Sequence, residues 1–178
     1  MHTVLLHSPL GDDLLFYQFK GIEQLSQVPQ YTLELLSKKA DIEFSQLLGK
    51  HMSVELQVPE GCGQEGKRYF DGIVERISYI GMQGRYHHYQ VSLQSWLGLL
   101  KHTQDYKIFQ NKTVIEILQE VFADAPEAKL EFKTQGHYTP WPYCVQYAET
   151  DLNFVLRMME QEGITFYFTH KQGEHTLV

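Results

Sequence analysis

The sequence predicts a mixed β and α+β protein: an antiparallel β-barrel-like domain over residues 1–100, then a partial α/β domain over residues 101–178. Three observations lead there. From Tyr31 to Trp96 apolar and polar residues repeatedly alternate, the period of half-buried strands. Gly, Pro and Asp interrupt these runs at short intervals, which favours antiparallel neighbours in a barrel or sandwich. Beyond Leu100 apolar residues instead fall at helical spacing in two stretches, near 114–124 and 151–162.

Residues 2–7 and 14–20 read as two strands joined by the turn Ser8-Pro9-Leu10-Gly11-Asp12-Asp13. Tyr31, Leu33 and Leu35 alternate with Thr32 and Glu34 as a half-buried strand. Ile42 to Leu48 reads as one helical turn, ended by Gly49. Met52, Val54, Leu56 and Val58 make an amphipathic strand stopped by Pro59, and Glu60 to Gly66 is a flexible tip. A long strand runs from Arg68 to Ile80, with a bulge expected at Asp71-Gly72. Gly81 to Gly84 turns it into Tyr86–Trp96, whose Tyr89, Val91 and Leu93 share a face.

The second part opens at Thr113-Val-Ile-Glu116, a sequence in which hydroxyl and carboxylate cap each other's N–H groups. Val114, Ile117, Leu118, Val121 and Phe122 give that helix an apolar face. Leu130, Phe132 and Thr134 read as a strand. Tyr143, Val145 and Tyr147 alternate with Cys144, Gln146 and Ala148, again a strand. Thr150 caps the next helix and Asp151 sits in its first turn. Leu152, Val155, Leu156 and Met159 are its expected buried stripe, with Gln161 exposed. Gly163 ends it. Ile164–Phe168 reads as a strand and Lys171-Gln172-Gly173 as a hairpin turn.

The run Tyr143-Cys-Val-Gln-Tyr-x-Glu-Thr-Asp-x-Asn-Phe, followed by Arg157-Met-Met-Glu-x-Glu-Gly, resembles the type VI secretion spike (VgrG) family, whose fold is similar to that of contractile phage tail hubs. Arg68-Tyr-Phe-Asp-Gly-Ile-Val and Ile108-Phe-Gln-Asn-Lys-Thr-Val extend the resemblance. It implies a structural part: the head of a trimeric spike that caps a tube of hexameric rings. The implied partners are a full-length homotrimer, the hexameric tube protein, baseplate components and effector proteins. It also implies a chain made in the bacterial cytoplasm and exported by the type VI machine. Family members continue into a second barrel and a β-helical needle, so a chain that stops in strand pattern at Val178 is expected to be an N-terminal piece, with a free edge at Thr176-Leu177-Val178 and weak self-association. A hub of a contractile phage or prophage is the alternative, and a carboxylate-type glycoside hydrolase a third reading.

Composition narrows the chemistry. Hydrophobic content of 43% supports a core, and a net charge of −7 without a basic block argues against nucleic-acid binding. There is no apolar run of membrane-spanning length and no cationic start with a cleavage site, so neither a membrane span nor a cleaved signal is expected. Cys62 and Cys144 are expected as free thiols. His87 and His88 are neighbours on a strand and face opposite ways. His170 and His175 flank the last hairpin and could approach each other across it, yet two imidazoles lack the further ligands zinc requires. Glu149, Asp151, Glu160 and Glu162 are the carboxylates an enzyme would use, but Asp151 fits a helix start, and Glu160 and Glu162 point to different faces. Arg157 is expected to form a buried or interfacial ion pair. Ser92 and Ser95 lie in no nucleophile elbow, and no phosphate loop, Cys-x-x-Cys or His-Glu-x-x-His occurs. The expectation is no catalytic residue, no cofactor and no metal ligand.

Overall fold

The computed structural model describes residues 4–58 and 66–178; the Gly-rich tip and Cys62 lie outside them. Two compact units emerge, and neither is one continuous run. The first takes the chain up to Gln24, then Val28–Ser95 and Thr169–His175; the second takes Leu25–Gln27, Trp96–Phe168 and Thr176–Val178.

The first unit is built on strands β1 (Val4–His7), β2 (Leu15–Ile22), β3 (Gln30–Ser37), β4 (His51–Gln57), β5 (Lys67–Gln83) and β6 (Tyr86–Gln94). They form one six-stranded sheet in the order β1-β4-β5-β6-β3-β2, every pair antiparallel. The two edges, β1 and β2, are consecutive in the chain. In a flat sheet five steps of about 4.8 Å would part them by about 24 Å. Their connection spends Gly11–Asp13 on a 3-10 turn, so the sheet has to curl. Its concave face holds Tyr31, Leu33, Leu35, Met52, Val54, Val74, Ile77, Val91 and Leu93, with Leu14 and Leu47 closing over them. The sheet is thus a curled half-barrel with an apolar interior.

Three details differ from expectation. Asp71-Gly72 is not a bulge, because the β4–β5 register runs unbroken from His51↔Ile73 to Gln57↔Lys67. Glycine is needed at 72 for another reason: a Cβ there would lie 2.9 Å from Leu93 Cβ. The bulges fall instead at Val74/Arg76 and Tyr79/Gly81, and β5 runs on to Gln83, the turn being Gly84-Arg85. Finally, β4 is buried on both faces, Ser53 and Glu55 as well as Met52 and Val54.

The second unit contains the short helix α1 (Trp96–Leu99), β7 (Gln104–Phe109), α2 (Val114–Ala123), β8 (Cys144–Thr150) and α3 (Asp151–Gln161). β9 (Phe168–Lys171) and β10 (Glu174–Leu177) form the last hairpin and are shared between the units. The α2 capping box is present: Thr113 Oγ1 accepts from the Glu116 N–H while Glu116 Oε2 accepts from the Thr113 N–H at 2.7 Å. Thr150 caps α3 by accepting from the Asn153 N–H, and Gly163 follows it at φ +67°. The buried stripe of α3 is Phe154, Val155, Met158 and Met159 with Asp151 at its head; Leu152 and Leu156 are only half-buried. The stripe is rotated from the expected one because Phe154 stacks on Phe109, ring centroids 5.5 Å apart, and Met158 meets Cys144.

Gln104–Phe109, which the sequence assigns to no element, is a strand pairing with β8. Leu130–Thr134 and Ile164–Tyr167 are not strands; their backbones make isolated bonds, Leu177 N–H to Lys129 O and Glu131 N–H to Leu177 O among them. Tyr167 and Val178 exchange backbone bonds, so the expected free edge is partnered. Tyr106 and Tyr147 make an exposed edge-to-face pair on the β7–β8 ribbon, at 5.3 Å.

Candidate functional site: a buried histidine–carboxylate cluster

Strand alternation puts His51, Ser53 and Glu55 on the convex face of β4, away from Met52 and Val54. The register sets Ser53 opposite Asp71 of β5, so their side chains share that face. A polar sheet face would ordinarily stay wet. Here the segment Thr169–His175 covers it, turning at Gly173 with φ +73°. The Gly173 N–H donates to Ser53 Oγ at 2.9 Å, and Ser53 Oγ donates to Asp71 Oδ1 at 2.6 Å.

The other oxygen, Asp71 Oδ2, lies 2.8 Å from His51 Nδ1 and 2.8 Å from His175 Nδ1. Asp71 and His175 are sealed, with side chains 0% and 1% exposed, whereas the His51 side chain keeps 28% of its surface in solvent. Burial alone would raise the Asp71 pKa, but bonds to His175, His51 and Ser53 outweigh it and hold the carboxyl below its ordinary range. Burial pushes the His175 imidazole down, towards the neutral form, against the pull of Asp71.

A second network joins the first through His170. The Asp71 N–H donates to His170 Nδ1 at 3.2 Å, which leaves the ring proton on Nε2. That nitrogen faces Tyr31 Oη at 3.2 Å and Glu23 Oε1 at 3.3 Å. Tyr31 Oη donates to Glu23, and Arg68 donates to the other Glu23 oxygen at 2.8 Å. The bond from His170 is the main reason that the Glu23 pKa falls to about 2; burial opposes it and Tyr31 and Arg68 assist. The Tyr31 hydroxyl is pushed up, first by burial and then by Glu23.

The residues singled out from sequence separate into two groups. His170 and His175 do approach, ring centroids 6.1 Å apart, and the partners their spacing could not supply come from β4 and β5. His87 packs on Tyr79 while His88 bonds Glu34 at 3.0 Å, the opposite facing expected. Glu149 pairs with Arg157 in an ion pair that is part-exposed in this chain, not buried. Asp151 is buried at the helix start and accepts from Gln146 Nε2 at 2.6 Å. Glu162 accepts from Trp141 Nε1 at 2.8 Å. Cys144 is a buried free thiol whose pKa burial pushes up. His51, Ser53, Asp71 and Glu23 escaped sequence reasoning. The available signal is Asp71 itself, an acid amid an apolar strand, whose neighbour Gly72 also suggests a bulge.

No helix among the described residues is long and apolar enough to cross a membrane. Comparison with known proteins gives a consistent result. A family model described as phage tail baseplate hub (GPD) matches residues 22–178. The type VI secretion spike protein VgrG1c of Pseudomonas aeruginosa is 43% identical over 99% of this chain and 24% of its own length. The chain therefore spans about a quarter of that relative. Among solved structures, an E. coli type VI secretion component, reported as similar to T4 tail proteins gp27 and gp5, superposes with a TM-score of 0.79 at 21% identity, covering 98% of this chain and 48% of that one. A Shewanella oneidensis prophage MuSo2 tail protein superposes with a TM-score of 0.63 at 18% identity, covering 100% and 53%. With the hub model spanning residues 22–178, the chain belongs to the phage tail baseplate hub family, and in sequence it is similar to type VI secretion spike proteins.

Proposed function

We propose that this chain forms the head of a trimeric type VI secretion spike, with its first barrel built from the residues up to Ser95 and completed by Thr169–His175, and Trp96–Phe168 opening an α/β domain. The 43% identity to VgrG1c along almost the whole chain carries this reading. In it the head caps the hexameric tube, meets the baseplate and travels outward with its effectors after synthesis in the cytoplasm. The role is mechanical, and the side chains fit it. Glu149 and Asp151, the carboxylates an enzyme would use, are engaged by Arg157 and Gln146. The curled sheet is a stiff seat for neighbouring subunits rather than a reaction vessel.

The test is an exchange. These 178 residues replace the matching head of a VgrG1c-type spike, and tube protein released into the medium is measured. Restored release is the expected outcome. A chimera that is produced and trimeric yet releases nothing would remove the spike reading and leave the phage-hub one.

A further inference from the structure

We propose that His51, Asp71 and His175 bind one divalent transition-metal ion, zinc being the ion their donor set fits. Their three ligand atoms lie within 4.8 Å of one another, with Asp71 Oδ2 2.8 Å from each imidazole nitrogen; an ion would replace the protons of those two contacts, the N···O gaps widening and the imidazoles drawing together to reach zinc bond lengths of about 2.0–2.2 Å. Two imidazole nitrogens and a carboxylate oxygen suit zinc, and cobalt or nickel as substitutes, better than calcium or magnesium, which take oxygen ligands. Three protein ligands leave a position for water, and the part-exposed edge of His51 provides the way in.

The surroundings are those of a prepared site. Ser53 holds the carboxylate by its other oxygen, and Gly173 holds Ser53, so the ligand is oriented from behind. Asp71 and His175 are both sealed from water, where a divalent charge offsets the buried carboxylate. The ligands come from β4, β5 and β10. An ion there is a staple: it fastens residues 104 positions apart, Asp71 and His175, and holds Thr169–His175 on the convex face of the half-barrel. This inference does not depend on the spike reading; a phage hub with the same residues would carry the same ion.

The test uses the 178-residue chain, stripped with a chelator and titrated with zinc and, separately, cobalt. Expected are one equivalent of zinc per chain, a rise in melting temperature, and a cobalt spectrum of low-coordinate type. His51→Gln lies at the accessible edge and keeps the buried pair, so it folds; its zinc affinity is expected to fall at least tenfold, since even the loss of a group behind a ligand costs about that much. His137→Gln, at an exposed position, is the control and is expected to bind as the parent does. Absence of stoichiometric uptake by the folded parent overturns the site. So does uptake that His51→Gln leaves unchanged, or that His137→Gln lowers as much.

Discussion

Phe19 of β2 and Phe70 of β5 meet with ring centroids 5.0 Å apart, although their strands stand three places apart in the sheet. In a flat sheet three steps would separate them by about 14 Å. Their contact is the curl of the half-barrel seen in two side chains. A double-mutant cycle on Phe19→Ala and Phe70→Ala is expected to give a coupling of about 0.5–1.5 kcal/mol, the range for aromatic pairs. A coupling near zero would mean that the sheet is open in solution.

The stripe of α3 makes a second test. Phe154 is fully buried against Phe109, whereas Leu156 is half-buried. Phe154→Ala is expected to cost roughly 3–5 kcal/mol, and Leu156→Ala distinctly less than the 2–5 kcal/mol of a fully buried leucine. Denaturant melts of both variants decide it, and equal losses would restore the stripe expected from spacing.

Glu23 sets an acid limit on stability. Its pKa is about 2 in the fold, against 4.5 for the free side chain. Between those values the unfolded chain takes up a proton that the folded chain refuses, so this contribution is whole above about pH 4.5 and is lost as pH falls towards about 2. Urea melts repeated downward from neutral pH are expected to show that loss, with a shallower slope in Glu23→Gln. An unchanged slope would place the acid sensitivity elsewhere.

The capping box of α2 offers a local test. Removing the hydroxyl in Thr113→Ala takes the acceptor from the Glu116 N–H and one of two donors from the Glu116 carboxylate, which keeps the backbone N–H of residue 113. About 0.5–2 kcal/mol of stability is the expected loss, seen as a lower denaturant midpoint at unchanged slope. Thr113→Ser should keep most of it.

Local patterns were legible wherever one residue's neighbours decide its state. Tyr89, Val91 and Leu93 declared their face by alternation, and Thr113 with Glu116 declared a helix start. What sequence could not convey was pairing at long range. Gln104–Phe109 carries no turn or alternation signal strong enough to declare itself, and its strand is defined by Cys144–Thr150 lying beside it. The His51–Asp71–His175 cluster needs a strand register and a hairpin more than 100 residues on, so no spacing rule encodes it. The exchange of Leu25–Gln27 and Thr169–His175 between units is invisible for the same reason.

The covering of β4 and β5 by Thr169–His175 also sets an order on synthesis. A ribosome adding about 5–20 residues per second needs roughly 5–20 s to travel the 104 residues from Asp71 to His175. Throughout that interval Ser53 and Asp71 have neither the Gly173 amide nor the His175 ring above them. Any half-barrel that forms in that interval keeps its convex carboxylate hydrated, and it is sealed only when residues made about a hundred positions later fold back onto the sheet.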